Sequence, residues 1–318
     1  MHASNDWQPS ASIADLQYRA KILSAIRNFF TARNYLEVET PYMGRYGVTD
    51  IYLQSIPAYC HGQTFYLQTS PEYHMKRLLA AGSGPIFQLA RVFRDDEFGR
   101  WHNPEFTLLE WYQLDVDHLY LLTEVDTLLQ QILGCPPLMQ LSYRQAFLMA
   151  CDIDLWQTNL TQLQEVLVNF NLGQVLAVDE QDIDQYLFLL MSHVVEPFFK
   201  TYTMPVAITD FPATQAALAQ THNGIAARFE VYFQGVELAN GFHELTDAHL
   251  QRERFVHDQL VRKARNLPSM AVDERFLAAM QAGMPNCSGV ALGVDRLLAL
   301  SQRHTAITNS ISFDLSRA

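Results

Sequence analysis

The chain has 318 residues, of which 49% are hydrophobic and 18% charged, a balance that buries a sizeable core and excludes disorder, collagen and coiled coil. The formal net charge is −12, and it is unevenly spread: residues 105–200 hold 2 basic and 14 acidic groups, whereas residues 1–104 hold 10 and 9 and residues 201–318 hold 10 and 11. A general nucleic-acid binder, which needs basic surface against phosphates, does not fit that distribution.

The N-terminal run Met1-His2-Ala3-Ser4-Asn5-Asp6-Trp7 has no basic start and no apolar core, so no secretory signal is expected. No run of 18 apolar residues predicts a membrane span. Cys60, Cys135, Cys151 and Cys287 form no C-x-x-C pair, which argues against a zinc ribbon or a disulfide framework. His243-Glu244-Leu245-Thr246-Asp247 misses the H-E-x-x-H zinc pattern, because Asp stands where the second His belongs. A cytoplasmic location with reduced thiols is the expectation.

In chain order, apolar spacing predicts a helix over 13–33 with Ser12 as its cap, then an extended segment over 36–40 leading to Pro41. Pro71 opens a helix over 71–81 that Gly82 and Gly84 close. Segments 87–93 and 105–113 read as a long antiparallel hairpin. The acidic stretch reads as helices over 118–132, 143–151, 161–170 and 182–195. Strands return over 205–210, 228–233 and 236–242, with Gln234-Gly235 as a turn. A helix follows over 247–265, a shorter one starts near Asp273, and a strand over 288–292 runs into a helix after Gly293. With no repeat or flexible linker, the pattern suits one α+β domain over 1–318 with a helical, acidic insertion over about 118–200.

The hairpin carries the chemistry. Side chains alternate faces on a strand, so Phe106, Leu108, Glu110 and Tyr112 share one face, and Glu105, Thr107, Leu109 and Trp111 share the other. An aromatic platform, a carboxylate and a phenol are an odd choice for a core face, and Arg94 and His102 flank them. Such a set can hold a nucleotide, with arginine on phosphate and an aromatic ring under the base. The alternative is a charged hairpin whose Arg and Glu pair in solvent. No G-x-x-x-x-G-K-[ST] loop is present, so a nucleotide site has to be built another way. Glu230 and Glu237 stand on adjacent strands around Gln234-Gly235, where their carboxylates can converge on Mg²⁺ or simply face solvent.

Phe93-Arg94-Asp95-Asp96 followed by His102-Asn103-Pro104-Glu105-Phe106 resembles motif 2 of the class II aminoacyl-tRNA synthetases, in the lysyl form. Gly289-Val290-Ala291-Leu292-Gly293-Val294-Asp295-Arg296 resembles motif 3, and Leu36-Glu37-Val38-Glu39-Thr40-Pro41 resembles motif 1, whose proline marks the family's dimer interface. Thr69-Ser70-Pro71-Glu72-Tyr73 and Glu237-Leu238-Ala239-Asn240-Gly241-Phe242-His243-Glu244-Leu245 are similar to lysyl-type elements.

The resemblance implies an α+β class II catalytic core that uses ATP and Mg²⁺ to turn a carboxylate into an acyl-adenylate. It places Arg94 on the α-phosphate and substrate carboxylate, and His102 and Arg296 on the outer phosphates, so that Arg94 and Arg296 are the catalytic arginines. Phe106 stacks on adenine, with Arg296 on the other face. Asp95, Asp96, Asn103, Glu237, Leu238 and Gly293 complete the ATP site, and Glu230 and Glu237 hold the metal. Lysyl synthetases usually carry Glu at the position of Asp96. For the amino acid, Glu72 takes the backbone amine, while Tyr112, Glu244 and Glu110 surround a side-chain ammonium. Ser70, Pro71, Asn240, Phe242 and Ala291 line the same pocket. A neutral or acidic amino acid would leave those carboxylates unpaired, so a lysine-like substrate is implied.

Two features depart from a lysyl-tRNA synthetase. Only 40 residues precede Pro41, too few for an anticodon-binding barrel of about 100 residues. Ala291 stands where motif 3 of lysyl synthetases usually has Gly, and one methyl in a tight pocket shifts substrate preference by roughly 1–3 kcal/mol. Both departures resemble a paralogous family, the elongation factor P (R)-β-lysine ligases. They imply transfer of (R)-β-lysine, or lysine, to the ε-amine of a lysine on elongation factor P, with no tRNA or membrane partner; the homodimer is implied by the resemblance of Pro41 and the preceding helix to motif 1. Aminoacylation of a tRNA-type acceptor and a non-catalytic synthetase paralogue are the alternatives. The acids Asp152, Asp154, Asp179, Glu180, Asp182 and Asp184 form either a docking surface for a basic protein loop or a merely solvated face.

Overall fold

The structure, a computed structural model, describes residues 7–95 and 97–318. Asp96, expected at the adenosine, and the N-terminal residues before Trp7 lie outside the described residues. The chain forms two compact units, one running to Asp117 and resuming over Glu244–Ala318, the other comprising His118–His243.

The first unit opens with α1 (Ile13–Thr31), where the Ser12 side chain accepts the Asp15 N–H. Then come β1 (Leu36–Glu37), β2 (Met43–Gly44), β3 (Pro57–Cys60), β4 (Gln63–Leu67), α2 (Glu72–Ala80), β5 (Ile86–Phe93) and β6 (Glu105–Leu114). The second unit runs α3 (His118–Leu133), β7 (Met139–Ser142), α4 (Tyr143–Cys151), α5 (Leu160–Asn169) and α6 (Ile183–Leu190). A single π turn, Met191–Val195, leads into α7 (Glu196–Phe198), then β8 (Val206–Pro212), β9 (Thr221–His222), β10 (Ile225–Phe233) and β11 (Val236–His243). Back in the first unit follow α8 (Ala248–Ala264), α9 (Glu274–Gly283), β12 (Cys287–Gly293) and α10 (Val294–Ser301).

The main sheet of the first unit sets β1 parallel to β5, β5 antiparallel to β6 and β6 antiparallel to β12. One face of it packs on α1: Phe30 stacks on Phe87 with ring centroids 4.7 Å apart and meets Trp111 at 5.1 Å. Trp111 belongs to the face of β6 opposite Glu110, so the period-two reading of that strand holds. Behind the same face, Arg19 of α1 donates to Asp295 at 2.5 Å and to Thr107 Oγ1 at 2.7 Å, all three groups being buried. A buried pair of this kind persists because further hydrogen bonds satisfy both ions: Asp295 also accepts the Thr107 N–H at 2.7 Å. A smaller sheet in the order β2-β4-β3 accompanies it. Strands of two to five residues carry too few side chains to show alternation, and the sequence pattern gives no sign of them.

In the second unit β11, β10 and β8 are antiparallel neighbours, β7 lies parallel to β8, and β9 pairs with β10. The β10–β11 turn puts Gln234 and Gly235 at positive φ, 53° and 74°, which suits the twist of a tight hairpin. Helices α4 and α6 and strand β8 share an apolar core built on Tyr143, Phe147, Tyr186, Leu190, Ile208 and Phe211. The helix expected over 182–195 is α-helical only to Leu190. Pro197 lacks an N–H and its ring crowds the carbonyl four residues back, and the turn widens just before it. The acids of this unit largely serve local structure: Asp154 pairs with Arg144, Asp182 caps α6, and Asp184 accepts from Thr214 and Gln215. Among the described residues no helix is long and apolar enough to cross a membrane.

Candidate active site

The face of β6 turned away from α1 forms a platform. Registration sets Ala291 against Glu110 and Gly289 against Tyr112 on β12, and Gln88 against Glu110 on β5. Small residues on β12 leave the large ones room. A Cβ at Gly289 would stand 2.2 Å from the Tyr112 ring and 2.5 Å from a Glu244 oxygen, so glycine is required there by packing. Phe106 and Ala291 are half-buried and lie against the apolar patch of Ala90, Val92 and Leu108.

At the end of this platform the residues assigned to the amino acid converge. Ser70 donates to Glu110 Oε2 at 2.6 Å and accepts the Glu72 N–H, tying the start of α2 to β6. Tyr112 donates to the other oxygen of Glu110 at 2.6 Å. Lys76, one turn beyond Glu72, contacts Glu72 Oε1 at 2.5 Å and Glu244 Oε2 at 2.6 Å. Lys76 and Glu244 are each 1% exposed, whereas the Glu72 side chain is 19% exposed.

Three carboxyl groups therefore share one protein cation. Burial, and then the charge of Glu72, push Glu110 up to about 7 against the hydrogen bonds from Ser70 and Tyr112. Burial pushes Glu244 up to about 8 despite Lys76, with Glu72 and Glu110 adding repulsion. Burial works against the Lys76 ammonium, but Glu244 and Glu72 hold its pKa above the ordinary lysine value. The Tyr112 phenol is raised by burial and by the acids around it.

The motif 2 and motif 3 cations stand farther along the first unit. The Arg94 guanidinium lies 5.1 Å over the Phe106 ring, and its Nε donates to the Thr69 carbonyl at 3.3 Å. Arg296 donates through Nε to the Trp101 carbonyl at 3.1 Å and meets His102 Nε2 at 2.7 Å. Glu97 links the two sets, 3.7 Å from Arg94 and 3.2 Å from His102. Asp95 is exposed, and its N–H is anchored on the Gln54 carbonyl at 3.0 Å. Buried Arg262 of α8 in turn holds that loop through Asp50 O, Leu53 O and Gln54 Oε1. The Asn103 amide is engaged at both ends by backbone, donating to Glu105 O at 2.7 Å and accepting the Leu315 N–H at 3.1 Å. Gly293 caps α10 at φ −74°, and a Cβ there would meet only ordinary contacts with Arg296.

The second unit holds the remaining candidates on β10 and β11. Glu230 accepts from Arg228, from Tyr232 and, at 3.5 Å, from Asn240 Nδ2. Burial raises the pKa of Glu230; Arg228 opposes that rise, and the charge of Glu237 adds to it. Leu238 is buried, and the ring of half-buried Phe242 stands 5.3 Å from the Arg228 guanidinium. Asn240 Oδ1 is a buried acceptor with no hydrogen-bond donor among the described residues.

Three further residues belong to these constellations without motif support. Lys76 carried a signal, an i, i+4 partner of Glu72 between apolar Met75 and Leu79. Gln88 is 2% exposed with Oε1 unpartnered opposite Glu110, and nothing in a strand pattern marks it. Glu97 follows the acids of motif 2 and reads there as one more solvent charge.

The family model described as tRNA synthetases class II (D, K and N) matches residues 6–317. A protein of Pectobacterium carotovorum named elongation factor P–(R)-β-lysine ligase is 50% identical over 327 residues, covering 100% of both chains. Proteins of the same name from Klebsiella pneumoniae and Edwardsiella ictaluri are each 51% identical, over 327 and 321 residues, covering 100% and 98% of each chain respectively.

Proposed function

The chain belongs to the class II tRNA synthetases of the D, K and N family, and on that premise we propose that it is an ATP-dependent ligase acting on elongation factor P. It activates (R)-β-lysine, or lysine, and passes the acyl group to the ε-amine of a lysine on that factor. The observation that carries this reading is the set of buried Glu110 and Glu244 with half-buried Glu72, whose carboxyls outnumber the one lysine among them. Such a set accepts an ammonium-bearing substrate and rejects neutral ones, which would leave carboxylates unpaired.

The chemistry is two displacements. A carboxylate oxygen of the amino acid attacks the α-phosphorus of ATP, and pyrophosphate leaves. The ε-amine of the acceptor lysine then attacks the acyl carbonyl, loses a proton, and AMP leaves. Arg94 is assigned to the α-phosphate and the substrate carboxylate, where fixed positive charge stabilises the five-coordinate phosphorus. His102 and Arg296, already in contact, are assigned to the outer phosphates, and Phe106 to the adenine. Glu97 now sits against Arg94 and His102, and phosphate oxygens would replace its carboxylate there.

Glu230 and Glu237 suit Mg²⁺: they offer hard oxygen ligands, and the charge of one already acts on the other. A magnesium ion held there would take most of its ligands from phosphate and water. Bound there, it would neutralise phosphate charge. The expected homodimer is supported by exposed Leu36, Tyr42 and Met43 flanking Pro41. Light scattering that returned a monomer would remove it.

ATP–pyrophosphate exchange with lysine, (R)-β-lysine and (S)-β-lysine, followed by transfer to elongation factor P or to tRNA, tests the reading. Exchange with a cationic amino acid and label appearing on the factor is the expected result. Absence of exchange with all three sinks it, and label on tRNA alone would make the chain a tRNA-charging enzyme.

A further inference from the structure

Lys76 is a buried charge that the two displacements do not use. Its ammonium is enclosed by Glu72 on its own helix, Glu244 after β11 and the Phe276 ring of α9 at 5.9 Å, with Glu110 of β6 and Cys287 of β12 acting on the same pocket. Tyr112 closes the pocket beside Glu110, and burial keeps both its phenol and the Cys287 thiol protonated. Lys76 thus joins Glu72 and Glu244 through one ammonium.

At 1% exposure it cannot swing out to make way for a substrate, whereas Glu72 remains open on one side. An isolated carboxylate buried as deeply as Glu244 would take up a proton, because desolvation penalises the charged form. A carboxylate on the open side would be free to change rotamer. Contacts of 2.5 and 2.6 Å from one ammonium hold the Glu72 rotamer and oppose, without abolishing, proton uptake by Glu244.

We propose that Lys76 is a positioning residue for the amino-acid pocket, fixing the orientation of Glu72 and Glu244 and opposing protonation of Glu244, so that a cationic amino acid meets carboxyl oxygens already set in place. This rests on the amino-acid pocket proposed above. Lys76 touches neither the phosphates nor the reacting carboxylate in that assignment. Its removal then weakens binding of the amino acid more than the chemical step.

The test is pyrophosphate exchange with lysine and (R)-β-lysine over pH 6–9, on wild type, Lys76→Met and Lys76→Arg. Wild type comes first: no exchange with either amino acid defeats the pocket reading itself, before Lys76 is in question. Given exchange, Lys76→Met raises KM about tenfold or more near pH 7 with kcat kept within about threefold. It also moves the pH at which 1/KM reaches its plateau upward by about one unit, because Glu244 and Glu110 lose the charge that opposed their protonation. Lys76→Arg keeps the wild-type plateau pH and still raises KM severalfold, since the longer planar fork shifts Glu72.

The inference is overturned if folded Lys76→Met retains the wild-type KM and plateau pH. It is equally overturned if kcat and KM both worsen by the same factor at every pH, the mark of a purely structural lysine. Should Lys76→Met fail to fold, Lys76→Arg decides, and an unchanged KM there overturns the proposal.

Discussion

Each unit buries an acidic cluster, and the two are compensated differently. In the second unit Glu230 has Arg228, Tyr232 and Asn240 on its oxygens, and Arg228 in turn donates to Gln215 O. In the first unit Glu72, Glu110 and Glu244 share the single ammonium of Lys76. A cluster that brings its own guanidinium has much of its charge offset within the protein, although burial still raises Glu230 and Arg228 Nε has no acceptor among the described residues. One with carboxyls in excess holds protons it must release, and is finished only by cations from outside.

Paired substitutions give the largest expected effect and the most direct way to break this contrast. Glu230→Gln leaves Arg228 buried without its carboxylate and should cost about 3 kcal/mol of stability, read by thermal or urea unfolding. As a proposed magnesium ligand, Glu230→Gln should also raise the Mg²⁺ concentration needed for exchange. Glu110→Gln removes a repelling charge and should leave the protein at least as stable, while raising KM for lysine or β-lysine about thirtyfold to a hundredfold. The contrast fails if Glu110→Gln unfolds the protein and Glu230→Gln does not.

A smaller effect follows from pH. Glu110 at about 7 and Glu244 at about 8 bind protons that an unfolded glutamate, with a pKa of about 4.3, has already lost. Their contribution to stability is present below the unfolded value and is lost as pH rises through 7 and 8. Without substrate, the melting temperature should therefore decline between pH 5 and 8.5, and Glu110→Gln should flatten the decline. Over the same interval KM for the cationic amino acid should fall, by at most about tenfold per pH unit for each proton released. A KM independent of pH would place the titrating acids outside the pocket.

The smallest expected effect sharpens what the first cluster selects. Ala291 faces Glu110 across the β6–β12 ladder, so its methyl lies on the same face as the carboxylates. Ala291→Gly should move the preference between lysine and β-lysine by about tenfold, within the roughly 1–3 kcal/mol that one methyl is worth. An unchanged ratio of kcat/KM values would leave discrimination to other residues.

How much of this was legible in the chain depends on the range of the interaction. The Ser12 cap, the 87–93 and 105–113 hairpin, the Gln234-Gly235 turn and the helix opening after Asp273 are local, and each appears within a residue or a few of its expected place. The alternation along β6 correctly separated Glu110 and Tyr112 from Trp111, because a strand repeats every two residues regardless of what packs against it. Short strands β2, β3, β4 and β7 and the widened turn before Pro197 left too little pattern to read.

By itself the sequence determined the family, the principal elements and which side chains share a face, since motifs and periodicities are properties of neighbouring residues. Only the tertiary structure decided which charges cancel. Lys76 and Glu72 come from α2, Glu110 from β6 and Glu244 from beyond β11, and no spacing rule spans those distances. The same is true of Gly289, required because Tyr112 and Glu244 crowd its backbone, and of Asn103, whose amide is held by Glu105 and Leu315. Burial sets the cost of a charge and proximity sets its relief, and both exist only once distant segments have been brought together.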